Sequence, residues 1–203
     1  MPKPQSIRGY GLLDNLITHL RTKKAYSLIS DVPVKERILD IGCGVYPLFL
    51  KGCNFREKYG LDKTIDSDNA QNFINDSIFV ANYDIEKNVL PYKSNYFNAV
   101  TMLAVFEHIE PKRLIQLLTE IRRVLVPGGQ YIMTTPAAWT DKLLKTMAKL
   151  HLASSIEIYD HKDVYTPSKI SAILQQANFQ EDNIKSGYFE LFMNIWITAK
   201  KDS

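Results

Sequence analysis

The stretch Arg37–Leu50, RILDIGCGVYPLFL, constrains the fold of this chain more than any other. An apolar run ends in an acid, breaks at Gly42 and Gly44, and resumes after Pro47. A short apolar run bounded by glycines reads as a buried strand, and proline suits the first turn of a helix. The segment is therefore a strand, a tight turn and a helix. Glycine at 42 and 44 lets the backbone turn sharply and come close to a ligand, because no side chain holds it off. Asp40 stands just before them and faces the same cleft. A carboxylate there suits a cation such as an ammonium group and repels a pyrophosphate.

Further strands follow. EKYGLD (57–62) ends in an acid, SIFVANYD (77–84) is a third strand, and YFNAVTML (96–103) is a fourth with both faces apolar. PGGQYIMTTP (127–136) supplies a glycine turn and a fifth. Helical spacing appears between them. Leu13, Leu16, Ile17, Leu20, Ala25, Leu28 and Ile29 form an apolar stripe in one amphipathic helix or two short ones before Pro33. Leu114, Leu117, Leu118, Ile121 and Leu125 mark a helix over 111–125, and residues 137–150 also read as helical. Thr166 and Pro167 open a last helix, with Ile170, Ile173, Leu174 and Ala177 as its buried stripe and Asn178 as its left-handed stop. SGYFELFMNIWITAKK closes the chain as one or two strands. Alternating strands and helices imply a parallel sheet covered on both faces, with ligands at the carboxyl ends of the strands. A C-terminal hairpin adds an antiparallel strand.

Composition bounds the function. The 203 residues suit one domain, 1–203, and 45% hydrophobic with 23% charged residues is the balance of a soluble globular protein. A net charge of +3 is too small to argue for nucleic acid. Arg21, Lys23, Lys24, Lys35 and Arg37 read first as a solvated helix face and its exit, and second as a surface for an anionic substrate or a membrane. Cys43 lies between two glycines, where a bridge to Cys53 would distort the turn, so a reducing interior is expected. The start of the sequence has no apolar leader region, and no stretch reaches the ~18 apolar residues of a membrane span. A cytoplasmic protein is the expectation.

Two cofactor classes use a glycine turn of this kind. A dinucleotide fingerprint wants glycine at the sixth position of the loop, where Pro47 stands. Asp62, about 20 residues after the first glycine, ends the second strand where a carboxylate can accept from a ribose diol in either class. Asp40 and Pro47 tip the balance away from a dinucleotide. ILDIGCG, GLD, NYDIEKNVLPYKSNYFNAVTMLAVFEHI and IRRVLVPGGQYIMTTP follow in order over about residues 36–136. With them the chain resembles the class I S-adenosylmethionine-dependent methyltransferases, in particular the small-molecule group with Glu-His after the fourth strand.

The resemblance implies an α/β fold: a Rossmann-like, doubly wound, mostly parallel seven-stranded sheet with an antiparallel C-terminal strand and helices on both faces. Residues 1–32 become an N-terminal helical lid, 33–136 the cofactor-binding half, and 137–203 the substrate-side insert and last strands. It implies S-adenosylmethionine as cofactor. Asp40 would meet the methionine ammonium, Gly42 and Gly44 would pass beneath the methionine moiety, and Asp62 would hold the ribose. Asp84 would accept from the adenine amino group with the Ile85 backbone beside the ring, while Leu103 and Ala104 flank the sulfonium. Tyr46 departs from the family's usual third glycine, and Asn98 from its usual aspartate before the fourth strand.

Methyl transfer from a sulfonium is an in-line displacement, so a base is needed only where the acceptor must lose a proton. His108 titrates near neutrality and is the leading base, with packing against the next helix as the plainer role. Glu107 could orient it or bond backbone. His161 and Tyr10 are the candidate substrate contacts, Trp139 reads as packing, and no metal site is expected. The partner is a small-molecule methyl acceptor of unread identity. A non-catalytic cofactor-binding partner subunit and an NAD-dependent oxidoreductase are the alternatives, and the oligomeric state is not readable.

Overall fold

A computed structural model describes residues 14–66, 71–140 and 162–202. Tyr10, His161, Leu13 and most of the helix expected over 137–150 lie outside the described residues.

Seven strands form one sheet: β1 Arg37–Ile41, β2 Glu57–Asp62, β3 Ile78–Asn82, β4 Phe97–Leu103, β5 Leu125–Pro136, β6 Ile184–Phe189 and β7 Asn194–Lys200. Their order is β3-β2-β1-β4-β5-β7-β6. β7 runs antiparallel between β5 and β6, and every other pairing is parallel. This is the mostly parallel, doubly wound sheet that the alternation of elements predicts, with its one reversed strand at the C-terminus.

Side chains alternate across a strand, so the central strands feed two cores. Leu39, Ile41, Val100, Met102, Tyr131 and Met133 face helices α3 (Pro111–Val124) and α4 (Pro167–Gln176). Ile38, Ala99 and Ile132 face helices α1 (Asp14–Ser30) and α2 (Leu48–Gly52). Each such side chain taken fully from water contributes about 1.5–3 kcal/mol, which is why strands apolar on both faces stay in the middle of the sheet.

The ends of the helices follow local chemistry. Thr166 Oγ1 accepts from the Lys169 N–H at 3.3 Å with Pro167 at the first position, and Asn178 stops α4 in the left-handed region at φ +67°. Lys35 Nζ donates to the Ile29 and Val32 carbonyls at 2.6 and 2.8 Å and closes the C-terminus of α1. Ala25, Leu28 and Ile29 of α1 are buried, whereas Leu20, assigned to the same stripe by its spacing, is exposed. α2 is a five-residue piece, and Pro47 stands just ahead of it. Asn98 accepts from the Arg37 N–H at 3.0 Å, so the residue that departs from the family pattern fastens the start of β1 to β4.

Candidate functional site

β1, β2, β4 and β5 end on the same side of the sheet, with Ile41 beside Leu61 and Met102, and Met102 beside Met133. The glycine turn leaves β1 there. Gly42 and Gly44 both lie in the left-handed region, at φ +79° and +73°. A β-carbon on Gly42 would fall 2.2 Å from Val105 Cγ2, so the turn passes directly under the segment that follows β4. The Gly42 N–H donates to the Leu61 carbonyl at 2.7 Å and pins the turn to the end of β2.

Two buried acids flank the turn. Asp40 is buried and its Oδ1 accepts from Thr101 Oγ1 on β4 at 2.6 Å. Asp62 is buried as well: Oδ2 accepts from the Gly44 N–H at 2.8 Å, and Oδ1 accepts from the Thr64 N–H and hydroxyl at 2.9 and 2.6 Å. Asp62 thus holds the glycine turn in shape from the neighbouring strand. The Asp40 charge reaches the α1 and α2 side, where burial first, and Asp40 after it, push the Cys53 thiol up.

Asp84 lies just beyond β3 in a turn of its own. Oδ1 accepts from the Glu86 N–H at 3.0 Å and Oδ2 pairs with Lys87 Nζ at 2.9 Å. The Lys87 bond is the main reason that its carboxyl sits below the usual range. Helix α3 fixes this turn: Arg113 Nε donates to the Glu86 carbonyl at 2.7 Å, and the Glu110 N–H to Glu86 Oε1 at 2.9 Å. Ile85 packs half-buried against the main core beside it. Leu103 ends β4 against the opposite core, and Ala104 turns left-handed at φ +54° with its N–H on the Thr134 carbonyl at 2.9 Å.

His108 closes a short 3-10 turn, Phe106–His108, at the same end, half-buried. Glu107 is buried and its Oε2 accepts from Thr135 Oγ1 of β5 at 2.9 Å, while its carbonyl accepts from the Lys162 N–H at 2.8 Å. The Glu107 carboxylate thus bonds a side-chain hydroxyl of β5, which is neither of the two roles read from the sequence. The hydroxyls of Thr134 on β5 and of Tyr165 are buried with no hydrogen-bond partner among the described residues. The Tyr165 hydroxyl is pushed up by burial and then by Asp163 and Glu107.

The structure therefore gathers Asp40, Gly42, Gly44, Asp62, Leu103 and His108 at one end of the sheet, with Asp84 and Ile85 just past β3. Sequence reasoning missed Thr64, Thr101, Thr135 and Val105. Only Thr64 carried a signal: in Asp62-Lys63-Thr64 an aspartate two residues ahead of a threonine is the spacing of an Asx turn. Tyr46 is exposed, edge-on to Phe73 with ring centres 6.5 Å apart, and Trp139 donates from its indole to the Phe192 carbonyl at 3.0 Å while remaining exposed.

The polar groups are one-sided: carboxylates lie at the strand ends, and the N–H groups of Gly42 and Gly44 between them are already bonded. Such a site suits a ligand whose polar groups donate, as the ammonium, diol and amino groups of an adenosyl amino acid do, and the residues fit that group. Among the described residues no three or more His, Cys, Asp or Glu stand close enough to hold a metal ion, and no helix is long and apolar enough to cross a membrane.

Residues 12–183 match the sequence model of a family described as a methyltransferase domain. No curated protein matches the chain. Among solved structures, an S-adenosylmethionine-dependent methyltransferase of Archaeoglobus fulgidus is similar at a TM-score of 0.65 and 17% identity, over 94% of this chain and 100% of that one. A complex between the Haloferax volcanii Trm112 methyltransferase activator and a candidate methyltransferase is similar at 0.67 and 15%, over 92% of each chain. Phosphoethanolamine N-methyltransferase 2 of Haemonchus contortus, with S-adenosyl-L-methionine, is similar at 0.67 and 14%, over 90% of this chain and 52% of that one. At these identities the likeness is one of fold.

Proposed function

The chain belongs to the methyltransferase-domain family, and from that premise we propose that it is an S-adenosylmethionine-dependent methyltransferase acting on an oxygen or nitrogen of a small molecule, a glycan precursor or a lipid-linked intermediate. The observation that carries this reading is the left-handed turn at Gly42 and Gly44 set between two buried acids, Asp40 and Asp62.

Asp40 would receive the ligand's ammonium, Asp62 the ribose hydroxyls, and Asp84 the adenine amino group with exposed Lys87 swinging aside. When bound, S-adenosylmethionine supplies a methyl group on a positively charged sulfur. Leu103 and Ala104, at the end of β4, would flank that sulfur with apolar side chains. Positioning the acceptor in line lowers much of the barrier, and His108 would take the acceptor proton where one must leave.

Titration of the purified chain with S-adenosylhomocysteine, S-adenosylmethionine and NAD in a thermal-shift assay tests the cofactor. A ligand at ~100 times its Kd adds roughly 2.7 kcal/mol, and for a domain of this size that raises Tm by roughly 5–10 °C. The adenosyl ligands are expected to give the shift and NAD none; a shift with NAD alone, or with none of the three, sinks the reading. His108→Ala is expected to slow methylation about 10²–10⁴-fold, the usual worth of a general base, with affinity for S-adenosylhomocysteine retained. Unchanged turnover removes His108 from the chemistry.

A second reading, a cofactor-binding subunit that acts with a partner, is supported by the likeness to the Trm112-bound assembly. It keeps the binding residues and differs in one respect: the chain alone binds the cofactor and transfers no methyl.

A further inference from the structure

The hairpin joining β6 to β7 turns at Glu190–Met193, where the Met193 N–H donates to the Glu190 carbonyl at 3.0 Å. Leu191 and Phe192 form its centre at φ +53° and +68°, and Glu190 before them is also left-handed at +51°. Asparagine and glycine are the usual residues in such a turn, because at positive φ a β-carbon crowds its own backbone. Two large apolar side chains stand here instead, and Leu191 is 85% and Phe192 67% exposed. Trp139 and Tyr188 extend the patch, the first through its bond to the Phe192 carbonyl, the second with its ring 5.9 Å from that of Phe192.

The turn is fastened in this shape. The Ala137 N–H and Thr140 Oγ1 both donate to the Met193 carbonyl, at 2.8 and 3.0 Å, and the Asn194 side-chain amide donates to the Glu190 carboxylate. Backbone strain held by surrounding bonds clusters at ligand clamps, and a contiguous exposed apolar patch marks a binding surface. The strand register adds the location. Leu103 of β4 lies beside Thr134, Thr134 beside Trp196, and Pro136 beside Asn194, so the turn projects past the carboxyl end of β5 on the same side as the glycine turn. Two strand spacings separate the end of β4 from β7, roughly 10 Å. The patch thus lies at the same end of the sheet as the glycine turn, past the end of β5, the strand next to β4.

We propose that this turn seats the hydrocarbon chain of the methyl acceptor. The acceptor is an amphiphile whose polar end reaches the end of β4 while its acyl or isoprenoid chain lies over Leu191, Phe192 and Trp139. This narrows the acceptor classes of the methyltransferase reading and rests on it.

The test uses the full chain, monomeric dodecylphosphocholine below its micelle concentration, and separately phosphatidylcholine–phosphatidylglycerol vesicles, with Trp139 fluorescence as readout and Trp139→Phe as the blank. The monomer is expected to give a saturable blue shift, and the Leu191→Gly/Phe192→Gly double variant to weaken it about tenfold or more, as loss of two apolar contacts requires. Glycine accepts positive φ, so the variant keeps the turn, and a Tm no lower than that of the native chain confirms its folding. Equal amphiphile binding by the double variant, or no response to monomer, overturns the proposal. A response to vesicles alone also overturns it and makes a membrane surface the occupant. Calorimetry with S-adenosylhomocysteine on the same samples separates the two failures: cofactor binding without amphiphile binding sinks only the chain-seating turn, and absent cofactor binding in the native protein sinks the methyltransferase reading.

Discussion

Gly42 shows how one atom sets the site. Its positive φ would cost an alanine about 1–2 kcal/mol, and the added β-carbon would meet Val105 Cγ2 at 2.2 Å. Gly42→Ala is therefore expected to lose about 2 kcal/mol or more in urea denaturation, and Val105→Ala in the same chain to restore the part due to the clash while leaving the backbone strain. Additive effects in that double-mutant cycle would mean that turn and Val105 do not touch. The glycines and Asp40 were legible because backbone freedom and charge are properties of single residues. Val105 and Thr101 were not, because their roles exist only once β4 lies beside β1. Asp62 was found for its charge, yet its bonds to Gly44 and Thr64 add a second duty, holding the turn, that no spacing reveals.

Among the elements, α3 does the most for the site without entering it. Arg123 donates to both oxygens of Glu120 and to the Leu90 and Tyr92 carbonyls at 2.8–3.1 Å, and so holds the loop that carries Asp84. Arg123→Ala leaves those acceptors bare, and a loss of about 1–3 kcal/mol is expected, with faster amide exchange over residues 83–96 and weaker S-adenosylhomocysteine binding by calorimetry. Unaltered exchange there would show that the loop holds itself. The helix over 111–125 was plain in the sequence because its apolar residues recur at helical spacing, and α4 because Thr166, Pro167 and Asn178 mark its ends. α1 was half legible: the spacing that includes Leu20 is helical, but burial depends on what packs against each residue, and Leu20 is left exposed.

Over the whole molecule, ion pairs and hydrogen bonds to carboxylates set the response to acid. Glu57, bonded by the Tyr59 hydroxyl and then Arg37, sits below its usual pKa, as do Glu120 beside Arg123, Asp163 beside Lys169 and Asp202 beside Arg122. A lowered carboxyl favours the fold above its unfolded value, near 4, and that contribution is lost as pH falls through the lowered value. Glu190 runs the other way. Burial raises it, against Arg21 and the Asn194 bond, so its contribution is full below about 4 and fades as pH rises through the raised value. The urea midpoint is expected to fall on acidification below about pH 4, and Glu190→Gln to raise it at neutral pH but not in acid. A Glu190→Gln effect of equal size at both would refute the assignment.

The position of β7 bears on the order of events in time. Of the seven strands it is made after the other six, yet it lies between β5 and β6, which have no pairing with each other. Until translation delivers residues 194–200, β5 keeps a bare edge and β6 has no sheet to join. Bare edges recruit other chains, so the nascent protein passes through a stage in which chaperone capture and aggregation compete. The reversed strand that completes the architecture is also the step at which its biogenesis is most exposed.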